Sequence, residues 1–212
     1  MKSINVETCK QMVIAACDAI IESKEYLTEV DSKIGDGDHG IGMSGGMEKA
    51  KTALMSRDDF ATINDVFKTT GMQMLNSMGG ASGVIFGSMF LGGIKDLEPI
   101  TELDGELFSK MMSAAVKAIK LRGKAEIGDK TMVDALEPAA VALEKTDKED
   151  LTFCMGEAAK AAGEGVEATK TMVAKFGRAK SLMERSIGFQ DAGATSVKII
   201  FEAMHSYLQA QE

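Results

Sequence analysis

The sequence predicts an all-α protein, and three observations support this fold class. Apolar residues recur every three or four positions along three segments, the spacing of a helix buried on one side. These stripes are Cys9, Val13, Cys17 and Ile20; Leu107, Met111, Ala115, Ala118 and Leu121; and Val197, Ile200, Phe201, Met204 and Leu208. Sustained alternation with a period of two is absent, and only two prolines occur in 212 residues.

Extending the pattern along the chain predicts eight helices. They lie near residues 5–24, 39–55, 60–77, 80–95, 104–122, 130–146, 150–175 and 193–210. Pro138 falls inside the sixth helix and is expected to kink or break it. No low-complexity linker divides the chain, so residues 1–212 are predicted to form a single domain. The 16 methionines are expected to fill gaps between helices, with a Met-lined ligand pocket as the alternative.

The composition excludes several classes of protein. The net charge is −8 and no block of lysine or arginine occurs, so nucleic acid is not an expected partner. The apolar runs are too short for a membrane helix, and the N-terminus lacks a signal-peptide core, so a cytoplasmic location without membrane contact is expected. Cys9, Cys17 and Cys154 lack the spacing of a zinc site and are expected to be buried, reduced thiols.

Residues 31–40, here called the acidic loop, carry the clearest chemical signal. The loop places Asp31, Asp36 and Asp38 beside His39 among several glycines. Carboxylate oxygens suit Mg²⁺ or Ca²⁺, and Mg²⁺ is usually shared between one or two carboxylates and the phosphates of a nucleotide. Gly40 leads into a predicted helix start, where backbone amides favour anions. The acidic loop therefore predicts a metal–phosphate site.

Three better-known motifs fit this region poorly. Counted from Asp36, position 12 of an EF-hand would be Met47 rather than a glutamate. Residues 40–45 match G-x-G-x-x-G formally, but no predicted strand precedes them, as the dinucleotide fingerprint requires. No glycine is followed by Lys-Ser or Lys-Thr at the spacing of a Walker A loop.

Three further glycine-bearing segments, residues 76–87, 122–132 and 188–196, interrupt the helical pattern. Gly80, Gly83 and Gly87 share one helix face, which predicts close approach of either a neighbouring helix or a nucleotide. In the second segment, Asp129 is expected to be the N-cap of the following helix. Four polar, glycine-bearing loops in a helical chain indicate that one end of a helical bundle is built for a ligand.

The four segments together resemble the nucleotide-binding subunit, or L domain, of the dihydroxyacetone kinase family. The matching stretches occur in the family's order: Ile34 to Gly40; Gly79 to Gly83; Arg122 to Glu126 with Gly128 to Met132; and Glu184 to Gly188 with Asp191 and Gly193 to Ser196. It implies a single-domain, all-helical barrel of eight antiparallel helices with ADP or ATP bound at one rim through two Mg²⁺ ions.

The resemblance also implies roles for individual residues. Asp31, Asp36 and Asp38 would be the metal ligands and, with Arg178, the catalytic residues. Met132 would offer an apolar surface to the base, and Arg178 would offer a forked cation to phosphate. The implied nucleotide contacts are His39, Gly40, Ile41, Gly42, Ala81, Ser82, Gly123, Met132, Arg178, Asp191, Ala192 and Gly193.

The chain departs from the family pattern at three positions. Gly42 stands where many relatives have asparagine, Met47 where an aromatic residue is common, and Ala192 where many have proline. These departures are expected to affect the stiffness of the phosphate loop or the substrate preference. None of them removes a predicted metal ligand.

The function implied is that of one subunit of a phosphotransferase of the glycerone kinase type. The ketose-binding half is not evident, because the only other histidine, His205, lies on an apolar stripe and is expected to be structural. A separate ketose-binding subunit is therefore implied, and homo-oligomerisation is left open. ADP would be a bound cofactor, rephosphorylated by a subunit of the phosphotransferase system.

Alternatives to this function stay open. The chain could belong to an ATP-exchanging kinase, and its substrate could be a four-carbon ketose such as erythrulose rather than dihydroxyacetone. A non-catalytic nucleotide-sensing module would keep the same aspartates and loops. A lipid-binding barrel with a Met-rich interior would instead be indifferent to Mg²⁺.

Overall fold

The structure is a computed structural model that describes all 212 residues, and it confirms the all-α class. It contains nine α-helices, one 3₁₀ helix and two short strands. In chain order they are β1 (Ser3–Asn5), α1 (Val6–Glu22), α2 (Lys24–Ser32), α3 (His39–Met55), α4 (Ile63–Ser77), α5 (Gly80–Ile94), β2 (Glu102–Asp104), α6 (Gly105–Gly123), α7 (Val133–Lys145), α8 (Leu151–Thr169), the 3₁₀ helix (Arg178–Ser186) and α9 (Ala192–Gln209).

Eight of the helices form a closed ring, which confirms the predicted barrel. From α3 to α9 each helix packs against the next, and α1 packs against both α3 and α9 to close the ring. The short helix α2 lies between α1 and α3 in the chain and packs mainly against α3. A continuous cluster of 49 buried apolar residues, drawn from all nine helices, fills the interior.

The antiparallel order of the ring decides where the predicted site residues meet. Gly165, near the end of α8, lies against Asp134 at the start of α7, and Gly123, at the end of α6, lies against Ile85 near the start of α5. The starts of α3, α5, α7 and α9 therefore share one rim with the ends of α4, α6 and α8. Strands β1 and β2 pair antiparallel directly before the starts of α1 and α6, at the other end.

The stripes on α1 and α9 are buried as predicted, whereas on α6 only Met111 and Ala115 are buried, and Leu107 and Ala118 are partly buried. The residues predicted for α1 and α9 all lie in the core. On α6, Leu121 is 72% exposed, so its place in the second stripe was wrong. It lies in the last turn of the helix, beyond the neighbouring core positions Ala115 and Ile119. Pro138 lies inside α7, and the three cysteines are buried free thiols.

Helix α2 and strands β1 and β2 were not predicted. Only Leu27 and Val30 are buried on α2, which is too few for a visible stripe. Because α2 extends to Ser32, Asp31 lies on the last turn of this helix rather than in the predicted loop. The two strands are three residues each, too short for a period-two pattern to show.

Two predicted helix boundaries were wrong. Helix α8 ends at Thr169 rather than near 175, and the Thr169 carbonyl accepts a hydrogen bond from Lys130 Nζ (2.8 Å) instead of from a following helical amide. Helix α7 begins at Val133, and Asp129 is not its N-cap. The carboxylate that accepts the amides ahead of α7 belongs to Asp134, which binds Gly128 N (2.6 Å) and Thr131 N (2.8 Å).

No helix in the chain combines the length and the apolar character needed to cross a lipid bilayer.

Candidate functional site

Asp31 organises the acidic loop from the last turn of α2. Its Oδ2 accepts hydrogen bonds from the backbone amides of Gly37 (2.9 Å) and His39 (3.3 Å). Gly37 has a φ of +79°, a conformation that favours glycine. One carboxylate therefore holds both the turn of the loop and the first residue of α3.

Asp36 connects the acidic loop to the 3₁₀ helix. Its Oδ2 lies 2.7 Å from Arg178 Nε, and its Oδ1 accepts a weak hydrogen bond from Asp38 N at 3.4 Å. Arg178 is 78% exposed, so its guanidinium lies at the surface above the loop. The structure thus brings together Asp36 and Arg178, two residues predicted from separate segments.

His39 joins three helices at the rim. Its Nε2 is 2.8 Å from Ser196 Oγ on α9. Its ring centroid lies 6.0 Å from that of Phe86 on α5. Burial among these side chains lowers the pKa of His39, although the nearby Asp31 carboxylate opposes this effect.

Asp191 is the N-cap of α9. Its Oδ2 accepts a hydrogen bond from Ala194 N (2.7 Å), while its own amide donates to Thr169 Oγ1 (3.0 Å). Burial raises the pKa of Asp191 to about 7. A Cβ placed on Gly193 would lie 3.4 Å from the Cβ of Met132, so these two predicted contact residues are neighbours. Met132 itself is only 5% exposed.

The glycines near the start of α5 serve two different purposes. Gly83 and Gly87 face neighbouring protein: a Cβ on Gly83 would meet Met78, and one on Gly87 would lie 3.0 Å from the carbonyl oxygen of Gly71 on α4. Gly79 and Gly80 face open space, with no atom within 4 Å of such a Cβ. Close packing thus accounts for Gly83 and Gly87, whereas Gly79 and Gly80 face open space at the start of α5, where Ala81 and Ser82 follow in the first turn.

Two of the three departures from the family pattern are sterically permissive. A Cβ on Gly42 would meet only Met78 Cε, at 3.9 Å, so the position has room for a side chain. Ala192 is the first residue of α9, and the preceding Asp191 has φ −78° and ψ 133°, a conformation compatible with a following proline. Met47, the third, is fully buried in the core.

Lys130 lies within the segment Arg122 to Met132, and the sequence pattern predicts no role for it. It is 2% exposed, has a φ of +60° and donates hydrogen bonds to four backbone carbonyls. No pattern of side chains could have identified it, because backbone carbonyls carry no sequence signature.

The acidic loop has the donor chemistry for a hard divalent cation, but its carboxylates are not gathered into a cluster. No group of three or more His, Cys, Asp or Glu side chains is arranged to hold a metal ion. Asp31 is engaged by backbone amides, Asp36 by Arg178, and Asp38 is exposed. Three carboxylates on one short, glycine-containing loop nevertheless fit the oxygen ligands of Mg²⁺.

Comparison with known proteins identifies relatives along most of the chain. The family model Dak2, described as the DAK2 domain, matches residues 33–206. The chain is 42% identical over 187 residues to the PEP-dependent dihydroxyacetone kinase 1, ADP-binding subunit DhaL, of Listeria innocua, covering 88% of this chain and 89% of the relative. It is 39% identical over 189 residues to the PEP-dependent dihydroxyacetone kinase, ADP-binding subunit DhaL, of Escherichia coli, covering 88% and 90%.

A solved structure shares the fold. The dihydroxyacetone kinase from C. freundii in complex with AMP-PNP and Mg²⁺ superposes with a TM-score of 0.74 at 23% sequence identity. The superposition covers 97% of this chain but only 34% of the C. freundii chain. This chain therefore corresponds to about one third of that protein.

Proposed function

The chain belongs to the Dak2 family, and from this membership we propose that it is the ADP-binding subunit of a dihydroxyacetone kinase. In this proposal a separate subunit holds the ketose, and the present chain supplies the nucleotide and the charge stabilisation for phosphoryl transfer. The relatives that share nearly their full length with this chain are named as ADP-binding subunits of such kinases, which supports the division of labour.

The observation that carries the proposal is the convergence of separate segments on one rim. Asp36 pairs with Arg178, and His39 binds Ser196, so the acidic loop contacts both the 3₁₀ helix and α9. The open glycines before α5 lie at the same rim. Phosphoryl transfer depends mostly on positioning and charge stabilisation, and a rim of this kind offers amides, carboxylates and an arginine for both.

Asp31, Asp36 and Asp38 are proposed to hold Mg²⁺. Bound there, two ions would neutralise phosphate oxygens of the nucleotide and so stabilise the charge that develops during transfer. The role of the chain itself is to present the carboxylates: Asp31 does so while tying the loop to α3 through Gly37 and His39.

The phosphates are proposed to lie between the helix starts and Arg178. The first turns of α3, α5 and α9 carry amides without helical partners, and such amides favour anions. Arg178 pairs with Asp36 in an exposed position, where a phosphate can compete for the guanidinium. Ile41, Ala81, Gly123, Met132 and Gly193 stay predicted contacts for the rest of the nucleotide.

The names of the two DhaL relatives support a proposal for the phosphoryl source. Both are named PEP-dependent, which supports ADP as a bound cofactor that is rephosphorylated by a phosphotransferase-system subunit. The experiments must distinguish this proposal from three alternatives: an ATP-exchanging kinase, a four-carbon ketose as substrate, and a non-catalytic sensing role.

The first experiment is a calorimetric titration of the nucleotide-stripped chain with ADP, in Mg²⁺ and then in EDTA. Binding in Mg²⁺ that is lost in EDTA supports the metal–nucleotide site. Equal binding in both conditions would contradict the roles of the aspartates, and no binding in either would contradict the nucleotide-binding proposal as a whole.

The second experiment tests the reaction with a ketose-binding subunit added. Phosphorylation of dihydroxyacetone with a phosphoenolpyruvate-driven donor, by a chain whose ADP does not exchange, is the expected result. Turnover with free ATP and rapid nucleotide exchange would favour the ATP-using arrangement. Faster turnover of erythrulose would reassign the substrate, and nucleotide binding without any transfer would favour a sensing role.

A further inference from the structure

Lys130 occupies an unusual position at the rim. Its ammonium is buried and binds only backbone carbonyls: those of Thr169 (2.8 Å) and Met172 (3.3 Å), and those of Ser186 (2.8 Å) and Phe189 (2.6 Å). The first pair lies where the chain leaves α8, and the second lies where it returns towards α9. One side chain therefore joins the two limbs of the intervening segment, residues 170–189, here called the Arg178 segment.

We propose that Lys130 is a positioning residue that holds together the two ends of the Arg178 segment, here called its neck. By doing so it fixes Arg178 above the acidic loop. The effect on nucleotide binding rests on the proposed function, whereas the clamp itself does not. Lys130 contacts neither of the residues whose geometry it sets, Arg178 and Asp36, and acts only through the backbone of the segment.

The chemistry of the contacts indicates a specific purpose for the ammonium. Burying an ammonium costs free energy unless its hydrogens are bonded, and burial lowers the pKa of Lys130. No carboxylate accepts a hydrogen bond from Lys130; Asp191 and Asp134 act on it only at longer range. An apolar residue could fill the volume, but only a multiple donor, here with three N–H groups, can bind carbonyls of both limbs at once.

The Arg178 segment has little else to hold it. Between residues 170 and 189 only Ala174 and Ser186 are buried, and Phe176 is the one large apolar side chain that packs, partly buried, against the core. The remaining neck bonds run from Gly188 N to the Lys170 carbonyl (2.7 Å) and from Ala174 N to Ser186 Oγ (3.0 Å). All of these bonds lie at the neck that Lys130 closes.

A second lysine provides a matched control. Lys175 Nζ binds Asp129 Oδ1 at 2.6 Å, so it too fastens the Arg178 segment to residues just before α7. Lys175 is 62% exposed and Asp129 only 10% exposed, but the Lys175 amide also binds the Asp129 carbonyl (3.1 Å), a bond that remains when the side chain is replaced. Lys175→Met should therefore leave the neck closed, whereas Lys130→Met should open it.

The clamp is tested by hydrogen–deuterium exchange of the nucleotide-free chain. In Lys130→Met we expect the amides of Ala174 and Gly188 to exchange about tenfold faster or more, with α8 and α9 still protected. Lys175→Met should match the wild type at both amides. Wild-type exchange at the neck in Lys130→Met, with the helices protected, would overturn the proposal.

A milder variant, Lys130→Gln, keeps the test valid if Lys130→Met does not fold. Lys130→Gln keeps two N–H donors and is expected to give neck exchange between those of the wild type and Lys130→Met. Loss of protection in every helix of both variants would overturn the proposal, because it would assign Lys130 to the whole fold rather than to the segment.

The effect on binding is tested by a double-mutant cycle with ADP and Mg²⁺. Lys130→Met should weaken ADP binding about tenfold, but should cause little further loss when Arg178→Met is already present. Additive losses would overturn the route through Arg178. If wild-type protein fails to bind ADP, the proposed function fails, while the exchange experiment still decides whether Lys130 is a clamp.

Discussion

Individual carboxylates at this rim differ in environment because the surrounding helices bury them to different degrees. Asp36 is exposed and pairs with a surface arginine, so its charge is available to a ligand. Asp191 is half-buried at the start of α9, where its carboxylate caps the helix. Mutation is therefore expected to have a different effect at each aspartate. At Asp36 it should abolish ligand binding, and at Asp191 it should change how the stability of the chain depends on pH.

Asp36→Ala should abolish Mg²⁺-dependent ADP binding while changing the free energy of unfolding by less than about 1 kcal/mol, since surface ion pairs contribute little. Asp59→Ala is the matched control, because Asp59 also pairs with an arginine Nε at 2.7 Å but lies beyond the opposite end of α3 from the acidic loop. Calorimetry and urea unfolding measure the two effects. Wild-type ADP affinity in Asp36→Ala would contradict the site.

Asp191 should make the stability of the chain depend on pH. Its pKa is raised to about 7 in the folded state, above the unfolded value, so the folded state holds a proton that the unfolded state has lost. Stability from this group is present at low pH and falls as pH rises through 7, by about 1 kcal/mol between pH 6 and pH 8.5.

Asp191→Asn should remove this pH dependence while its amide oxygen still caps α9. Urea unfolding of both proteins at pH 6 and pH 8.5 gives the comparison. The variant should gain stability relative to the wild type at the higher pH. A constant difference between the two proteins across this range would show that Asp191 is already ionised at pH 6.

At the scale of elements, glycines decide how closely the helices approach one another. Gly71 and Gly87 allow α4 and α5 to pack backbone to backbone, and Gly165 allows the same between α8 and α7. Gly45 lies inside α3 with no atom near the position of a Cβ. Glycine is therefore required sterically at some helical positions and only weakens the helix at others.

Two Gly→Ala variants separate these cases. Gly45→Ala should stabilise the chain by about 0.5–1 kcal/mol through helix propensity alone. Gly87→Ala gains the same propensity but places a methyl 3.0 Å from the Gly71 carbonyl, and should be net destabilising by about 1–3 kcal/mol. Thermal unfolding of both variants measures the difference, and equal stabilisation would contradict the packing between α4 and α5.

At the scale of the whole molecule, closure of the ring turns four separated segments into one rim. Antiparallel packing sends alternate helix starts to the same end, and contact between α1 and α9 completes the circle. A ligand that bridges several of these helix starts would be expected to stabilise the entire ring, because each helix is held by its two neighbours.

Mg²⁺ and ADP together should therefore raise the melting temperature. At an ADP concentration one hundred times Kd, linkage adds about 2.7 kcal/mol, which corresponds to roughly 5–10 °C for a chain of this size. Differential scanning calorimetry with Mg²⁺, with EDTA and without nucleotide provides the test. The same shift in EDTA as in Mg²⁺ would contradict a metal-dependent site.

Particular residues show why some expectations from the sequence succeeded and others did not. The stripe from Val197 to Leu208 is fully buried because helical periodicity is a local property that a sequence displays directly. Leu121 is exposed although it continues the predicted apolar stripe of α6. Burial at the end of a helix depends on which neighbouring element extends far enough to cover it. Asp129 was assigned the cap of α7, yet Asp134 makes those bonds, a choice between nearby acids that only backbone geometry settles.

The sequence by itself determined the all-α class, most of the helices and the order of the glycine-bearing loops, because spacing and glycine content are written residue by residue. Only the tertiary structure decided that Asp31 ends a helix, that Asp36 meets Arg178 and that Lys130 clamps the Arg178 segment. These features depend on contacts between distant parts of the chain. Where the partner is a backbone carbonyl, common to every residue, no sequence pattern can reveal it.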